Sequence, residues 1–180
     1  MMGLKRGDWL LLAAAALAYF GFLPVRWAVE KSAGCAFIAP DMNFPPDMAD
    51  YADAKSCLTG NGGAGLEAYV GWHLLGLDLV FPAMLAVAAT VILLRVGETL
   101  PRFDRLSGKV KLAAAAVLPA AYALADYCEN WTVAQWLKSG DDALLPLISA
   151  LTTLKFAALA IAAMVAIAMI LSALRHKRLS

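Results

Sequence analysis

The stretch LLPLISALTTLKFAALAIAAMVAIAMILSAL, residues Leu144–Leu174, holds one charged side chain, Lys155, in 31 positions. About 20 mostly apolar residues suffice for a helix to cross the hydrocarbon core of a bilayer. A run this long and this apolar reads as a membrane span, and three more runs share its character. They cover roughly residues 9–27 (WLLLAAAALAYFGFLPVRW), 68–94 and 112–137, the last with a polar end. All are rich in Ala and Leu, and small residues let membrane helices approach closely. Backbone in lipid must bond to itself, so these runs are helices. No strand-like alternation suggests a barrel.

Composition agrees. Of 180 residues, 62% are hydrophobic and 16% charged, and the mean hydropathy is +0.68. Soluble domains carry about 25% charge, so a soluble enzyme or a disordered regulator is excluded. The net charge of +1 lacks the basic surplus of a polyanion groove, and no nucleic-acid partner is expected. The expected fold is an all-α integral membrane protein, one domain over residues 1–180. It is a four-transmembrane-helix up-down bundle with a short outer amphipathic helix or cap.

Lys and Arg set the orientation. Ten lie at the N-terminus, in the 95–111 loop and at the C-terminus; four (Arg26, Lys31, Lys55 and Lys138) lie on the other side. The positive-inside rule puts both termini in the cytoplasm, with a bacterial cytoplasmic membrane as the expected location. The basic loop and tail can touch anionic lipid heads. Bulky Tyr19, Phe20, Phe22 and Trp27 stand where a cleavage site needs small residues, so the first span is read as retained. Five tryptophans, Trp9, Trp27, Trp72, Trp131 and Trp136, fall near span ends, as interfacial anchors do.

The outer loop, residues 28–67, is long for a connection. Pro45-Pro46-Asp47 reads as a helix start, with Met48, Tyr51, Lys55 and Leu58 on about one face, and the glycines at 60, 62, 63 and 65 end that helix. Such a helix either lies on the outer membrane face or caps the bundle mouth. Cys35 and Cys57 both fall in this loop, where oxidation is permitted, and most simply pair with each other. A redox relay needs closely spaced cysteines, and the chain has no C-x-x-C. Cys128, alone in the third span, reads as a small buried hydrophobe.

Ionisable residues inside spans are costly and point to function. Asp78 lies in the second span, Asp126 and Glu129 in the third, and Lys155 in the fourth. With a rise of about 1.5 Å per residue, they sit about 15, 16, 12 and 16 Å from the outer ends of their spans. Three helices thus bring charge to one layer. Asp126, Glu129 and Asn130 share a face, as do Thr152 and Lys155. His73 lies on a path from the outer surface toward Asp78, Tyr19 can supply a hydroxyl at similar height, and Pro82 frees the Asp78 carbonyl. Three carboxylates against one ammonium cannot all be charged cheaply in a low dielectric. Protonation, or a cationic ligand, must complete the balance.

Asp78, Asp126, Glu129, Asn130, Thr152, Lys155, Tyr19 and His73 are therefore the candidate ligand-binding or proton-relay residues. No metal or cofactor is expected, because ligand spacings such as H-x-x-x-H are missing. The leading expectation is binding or translocation of a small hydrophobic or cationic molecule, with membrane lipids as partners. Three further readings stay open. One is an intramembrane enzyme using a carboxylate as acid or base on a lipid-like substrate. Another is a subunit joined to a membrane protein or to its own copies. The last is polar glue holding the bundle together, worth about 0.6–2 kcal/mol per contact.

Overall fold

A computed structural model describes residues 5–36 and 48–179. All the regular structure in them is helical. Helix α1 covers Arg6–Ala33 and α2 covers Met48–Thr59. A turn of 3-10 helix at Asn61–Gly63 leads into α3 (Ala64–Ala68), a π-helical segment (Tyr69–Leu77) and α4 (Asp78–Gly97) without a break. The short α5 (Pro101–Asp104) precedes α6 (Gly108–Ser139), and a 3-10 turn at Asp142–Leu144 starts α7 (Leu145–Leu179). Four helical stretches are long and apolar enough to cross a membrane. Each contains one of the expected spans and outruns it at both ends. Residues 28–33 belong to α1, so the first loop is shorter than the apolar pattern implies.

The most heavily packed element is α6, which lies against both α4 and α7. Its buried face runs from Ala115 to Leu137 and includes Asp126, Glu129 and Asn130. Large apolar side chains face outward along the bundle: Leu10, Leu17 and Leu23 on α1, Val80 and Val87 on α4, Leu124 on α6, and Leu154, Ile161 and Ile167 on α7. Exposed apolar surface of that extent suits lipid rather than water.

The two ends of the bundle are held differently. At one end, Asp8 in the first turn of α1 accepts a hydrogen bond from Arg95 Nε of α4 at 3.0 Å. At the other, Val29 of α1, Tyr51, Ala54 and Leu58 of α2, Tyr69 and Leu74 of the π-helical segment, Trp136 of α6 and Ile148 of α7 form one buried apolar cluster. Helix α2 therefore turns its apolar face onto the bundle and acts as a cap; it does not reserve that face for a membrane surface. Cys35, just past α1, and Cys57, in α2, sit at disulfide distance with Cα atoms 6.0 Å apart. The Pro45-Pro46-Asp47 helix start falls outside the described residues.

Close approach under the cap depends on Gly65. A Cβ there would stand 2.5 Å from Ala33 Cβ, closer than two carbons can pack. The end of α1 and the start of α3 can meet only because this side chain is missing.

Two expectations need correction. Trp136 lacks the exposure an interfacial anchor needs, whereas Trp9, Trp27, Trp72 and Trp131 are all exposed. It is buried beneath α2, edge-on to Tyr51 with ring centroids 5.8 Å apart, and its Nε1 donates to Asp142 Oδ1 at 3.0 Å. Cys128 is exposed rather than buried. It lies on the flank of α6 that carries Leu124 and Trp131, where a small apolar thiol meets the surroundings of the bundle.

Candidate functional site

Lys155 of α7 reaches across to α6. Its Nζ lies 3.1 Å from Asp126 Oδ1 and contacts Glu129 Oε2. Asn130 Nδ2 donates to Asp126 Oδ2 at 3.1 Å. Thr152 Oγ1 donates to Glu129 Oε1, and its own helix offers Ile148 O at 3.0 Å as the alternative acceptor. All five side chains are buried, Glu129 and Thr152 completely. The spacing explains the convergence: 126, 129 and 130 fall on one face of α6, while 152 and 155 fall on one face of α7. Each carboxylate thus receives both the ammonium and a neutral donor, as a buried charge requires.

Asp78 reaches the site by a different route. Its carboxylate Oδ2 lies 3.4 Å from His73 Nε2, and both side chains are buried. In an α-helix, residues five apart point about 140° away from each other. Here the Asp78 N–H bonds to His73 O, the i→i+5 pattern of a π-helix, which brings the two side chains to one side. Tyr69 stacks on the imidazole at 4.9 Å, and Phe22 of α1 tilts against it at 5.2 Å. The irregularity thus lies ahead of Pro82, which is buried inside α4. Tyr127 Oη donates to Leu79 O at 2.8 Å, fixing the start of α4 against α6.

Between these two arrangements is a half-open pocket of about 360 Å³, to which Asp78, Asp126 and Lys155 all contribute wall. The rest of the wall is aromatic or aliphatic: Tyr19 and Phe22 from α1, Phe81 and Leu85 from α4, Tyr122 from α6, and Phe156 and Leu159 from α7. A concave, mostly apolar space with a few convergent polar groups is the usual form of a small-molecule site.

The structure gathers most of the residues singled out in the sequence. Asp78, Asp126, Lys155 and Tyr19 line the pocket. Glu129, Thr152 and Asn130 lie behind its wall, and His73 stands behind Asp78. Tyr19 contributes an exposed ring, 5.9 Å from that of Phe81. Sequence reading missed Tyr122, Phe22, Phe81 and Phe156. A signal existed for two of them: Tyr122 precedes Asp126 by four residues and Phe81 follows Asp78 by three, so each shares a helix face with a candidate acid. Among the described residues no group of three or more His, Cys, Asp or Glu is arranged to hold a metal ion.

The chain matches no protein-family model, no curated protein and no solved structure.

Proposed function

We propose that this chain is a membrane protein that binds, or passes across the bilayer, a small hydrophobic or cationic molecule held in the pocket between α1, α4, α6 and α7. Its helices cross as an up-down bundle with both termini in the cytoplasm and α2 on the outer side. One observation carries the reading: ionisable groups from three helices converge on a cavity large enough for a small organic molecule. Polar glue needs contact between helices, and the Lys155–Asp126–Glu129 network supplies it. Glue does not need a space beside that contact, nor a further carboxylate on the facing helix.

Entry from lipid suits the half-open wall, because an apolar solute is already concentrated in the bilayer. The reading is tested by mass spectrometry of small molecules that co-purify with the wild-type protein and with Asp126→Asn. A molecule retained by the first and lost from the second, with both proteins folded, supports a binding site. If the substitution only lowers stability, the network is structural. If it strips away another membrane protein or a second copy, the chain is a subunit.

Catalysis on a lipid-like substrate is a second reading, favoured by the contact between His73 and Asp78 at the edge of the pocket. A carboxylate poised beside an imidazole can take up and return a proton. Turnover of the co-purified molecule by wild-type protein and its absence in Asp78→Asn would move the assignment from carrier to enzyme.

A further inference from the structure

The pocket is asymmetric, and the asymmetry bears on what it holds. On the α6–α7 side, Lys155 is shared between Asp126 and Glu129. On the α1–α4 side, Asp78 stands with His73 beside a corner of aromatic rings. Phe22 and Phe81 meet at right angles with centroids 5.4 Å apart, and Tyr19 continues the corner at 5.9 Å from Phe81. Among the described residues, no Lys or Arg lines that side of the pocket. Among the described residues, the acidic and basic groups of the site are Asp78, Asp126, Glu129, Lys155 and His73. Even with His73 protonated, their formal charges leave one negative charge in excess.

We infer that the ligand is a small organic cation, an amine or quaternary ammonium with an apolar body, whose positive head sits against Asp78 and the rings of Phe22 and Phe81. This rests on the pocket being a binding site, as proposed above. Ring faces attract cations, more strongly when both are removed from water. Excess negative charge in a low-dielectric site favours any species that neutralises it. A head placed at Asp78 also keeps clear of the Lys155 ammonium, which repels it, and leaves Leu85 and Leu159 for the apolar body.

The experiment uses the full chain in phosphatidylcholine nanodiscs and two probes of one shape. Benzyltrimethylammonium carries a fixed positive charge. Neopentylbenzene replaces its nitrogen with carbon and is neutral. Equilibrium dialysis against empty nanodiscs measures what the protein itself retains. The cation is expected to bind about tenfold or more tightly than its neutral twin. Asp78→Asn should erase that preference while neopentylbenzene binding persists. Phe81→Leu should weaken the cation severalfold more than the neutral probe, and it decides the matter if Asp78→Asn does not fold. Equal binding of both probes overturns the cation inference but leaves the pocket as a binding site. A preference that survives the substitutions overturns the placement of the head at Asp78 and the rings. Retention of neither probe above empty nanodiscs overturns the inference and the binding reading together.

Discussion

Lys155 and Asp126 face each other across the α6–α7 contact, Nζ 3.1 Å from Oδ1, with both side chains buried. Glu129 joins the same ammonium. Removing the cation alone leaves two carboxylates without their counter-charge. Lys155→Met should therefore lower stability by about 3–5 kcal/mol, the usual cost of breaking a buried pair from one side. The triple change Lys155→Met, Asp126→Asn, Glu129→Gln should recover most of that loss. Unfolding in mixed micelles with increasing sodium dodecyl sulfate measures both.

Gly65 and Gly71 make a paired test of packing. A methyl at Gly65 would run into Ala33, whereas one at Gly71 meets nothing within 4 Å. Gly65→Ala should cost about 1–3 kcal/mol through overpacking. Gly71→Ala should stay within about 0.5 kcal/mol of wild type. The same unfolding assay compares them, and equal effects would contradict the close approach of α1 and α3.

A disulfide between Cys35 and Cys57, which sit at bonding distance, would close a loop with a sequence separation of 22. Restricting the unfolded chain over such a loop is worth about 3 kcal/mol in the chain-entropy account. Dithiothreitol should lower the thermal midpoint of the wild type and leave Cys35→Ser unaffected. The cap should remain seated in both, because Tyr51 and Leu58 are buried independently of the sulfurs. Protection of reduced wild type and of Cys35→Ser from limited proteolysis within α2 checks that point.

Asp142, in the turn between α6 and α7, accepts a hydrogen bond from Trp136 Nε1 and lies 3.6 Å from Lys55 Nζ. Those contacts, the indole first, hold its carboxyl below the usual carboxylate range. A lowered folded-state value means that the contribution is present above the ordinary carboxylate range and is lost as pH falls through the folded value. Acidification should thus loosen the cap modestly, since Asp142 is largely exposed and screened. In Asp142→Asn this part of the pH dependence should disappear, as read from thermal unfolding at a series of acidic pH values.

Topology has a direct check. Reporter fusions after Lys111 and Gly140 should report the cytoplasmic and the outer side respectively. The reverse result would place α2 and its cysteines in the cytoplasm.

Much of this is legible in the sequence. Apolar runs dictated the four long helices, and the i, i+3 and i+4 spacing of Asp126, Glu129 and Asn130 put them on one buried face. The π-helical segment was not legible. Its sequence, YVGWHLLGL, is apolar almost all round, so no stripe marks whether a turn holds four residues or five. Trp136 was misread because a tryptophan near a span end looks the same whether its ring meets lipid or a cap. The aromatic wall was hidden for a related reason: Phe81 and Phe156 resemble the phenylalanines that face lipid until the neighbouring helices close a space around them. Cys128 shows the opposite error, since a small apolar residue in a span can face outward at no cost.

The π-helical turns ahead of Asp78 hold more chain per turn than an α-helix would. They are what lets His73 and Asp78, five residues apart, reach one side of the helix. Deleting one residue between the two would leave them four apart, a spacing that an ordinary α-helix also brings to one face. The wide turns thus take up one residue of extra chain between the cap and the pocket while the two stay in angular phase. A one-residue deletion here should be absorbed by a return to α-helical turns, whereas the same deletion within α4 or α6 would rotate the preceding segment by about 100°.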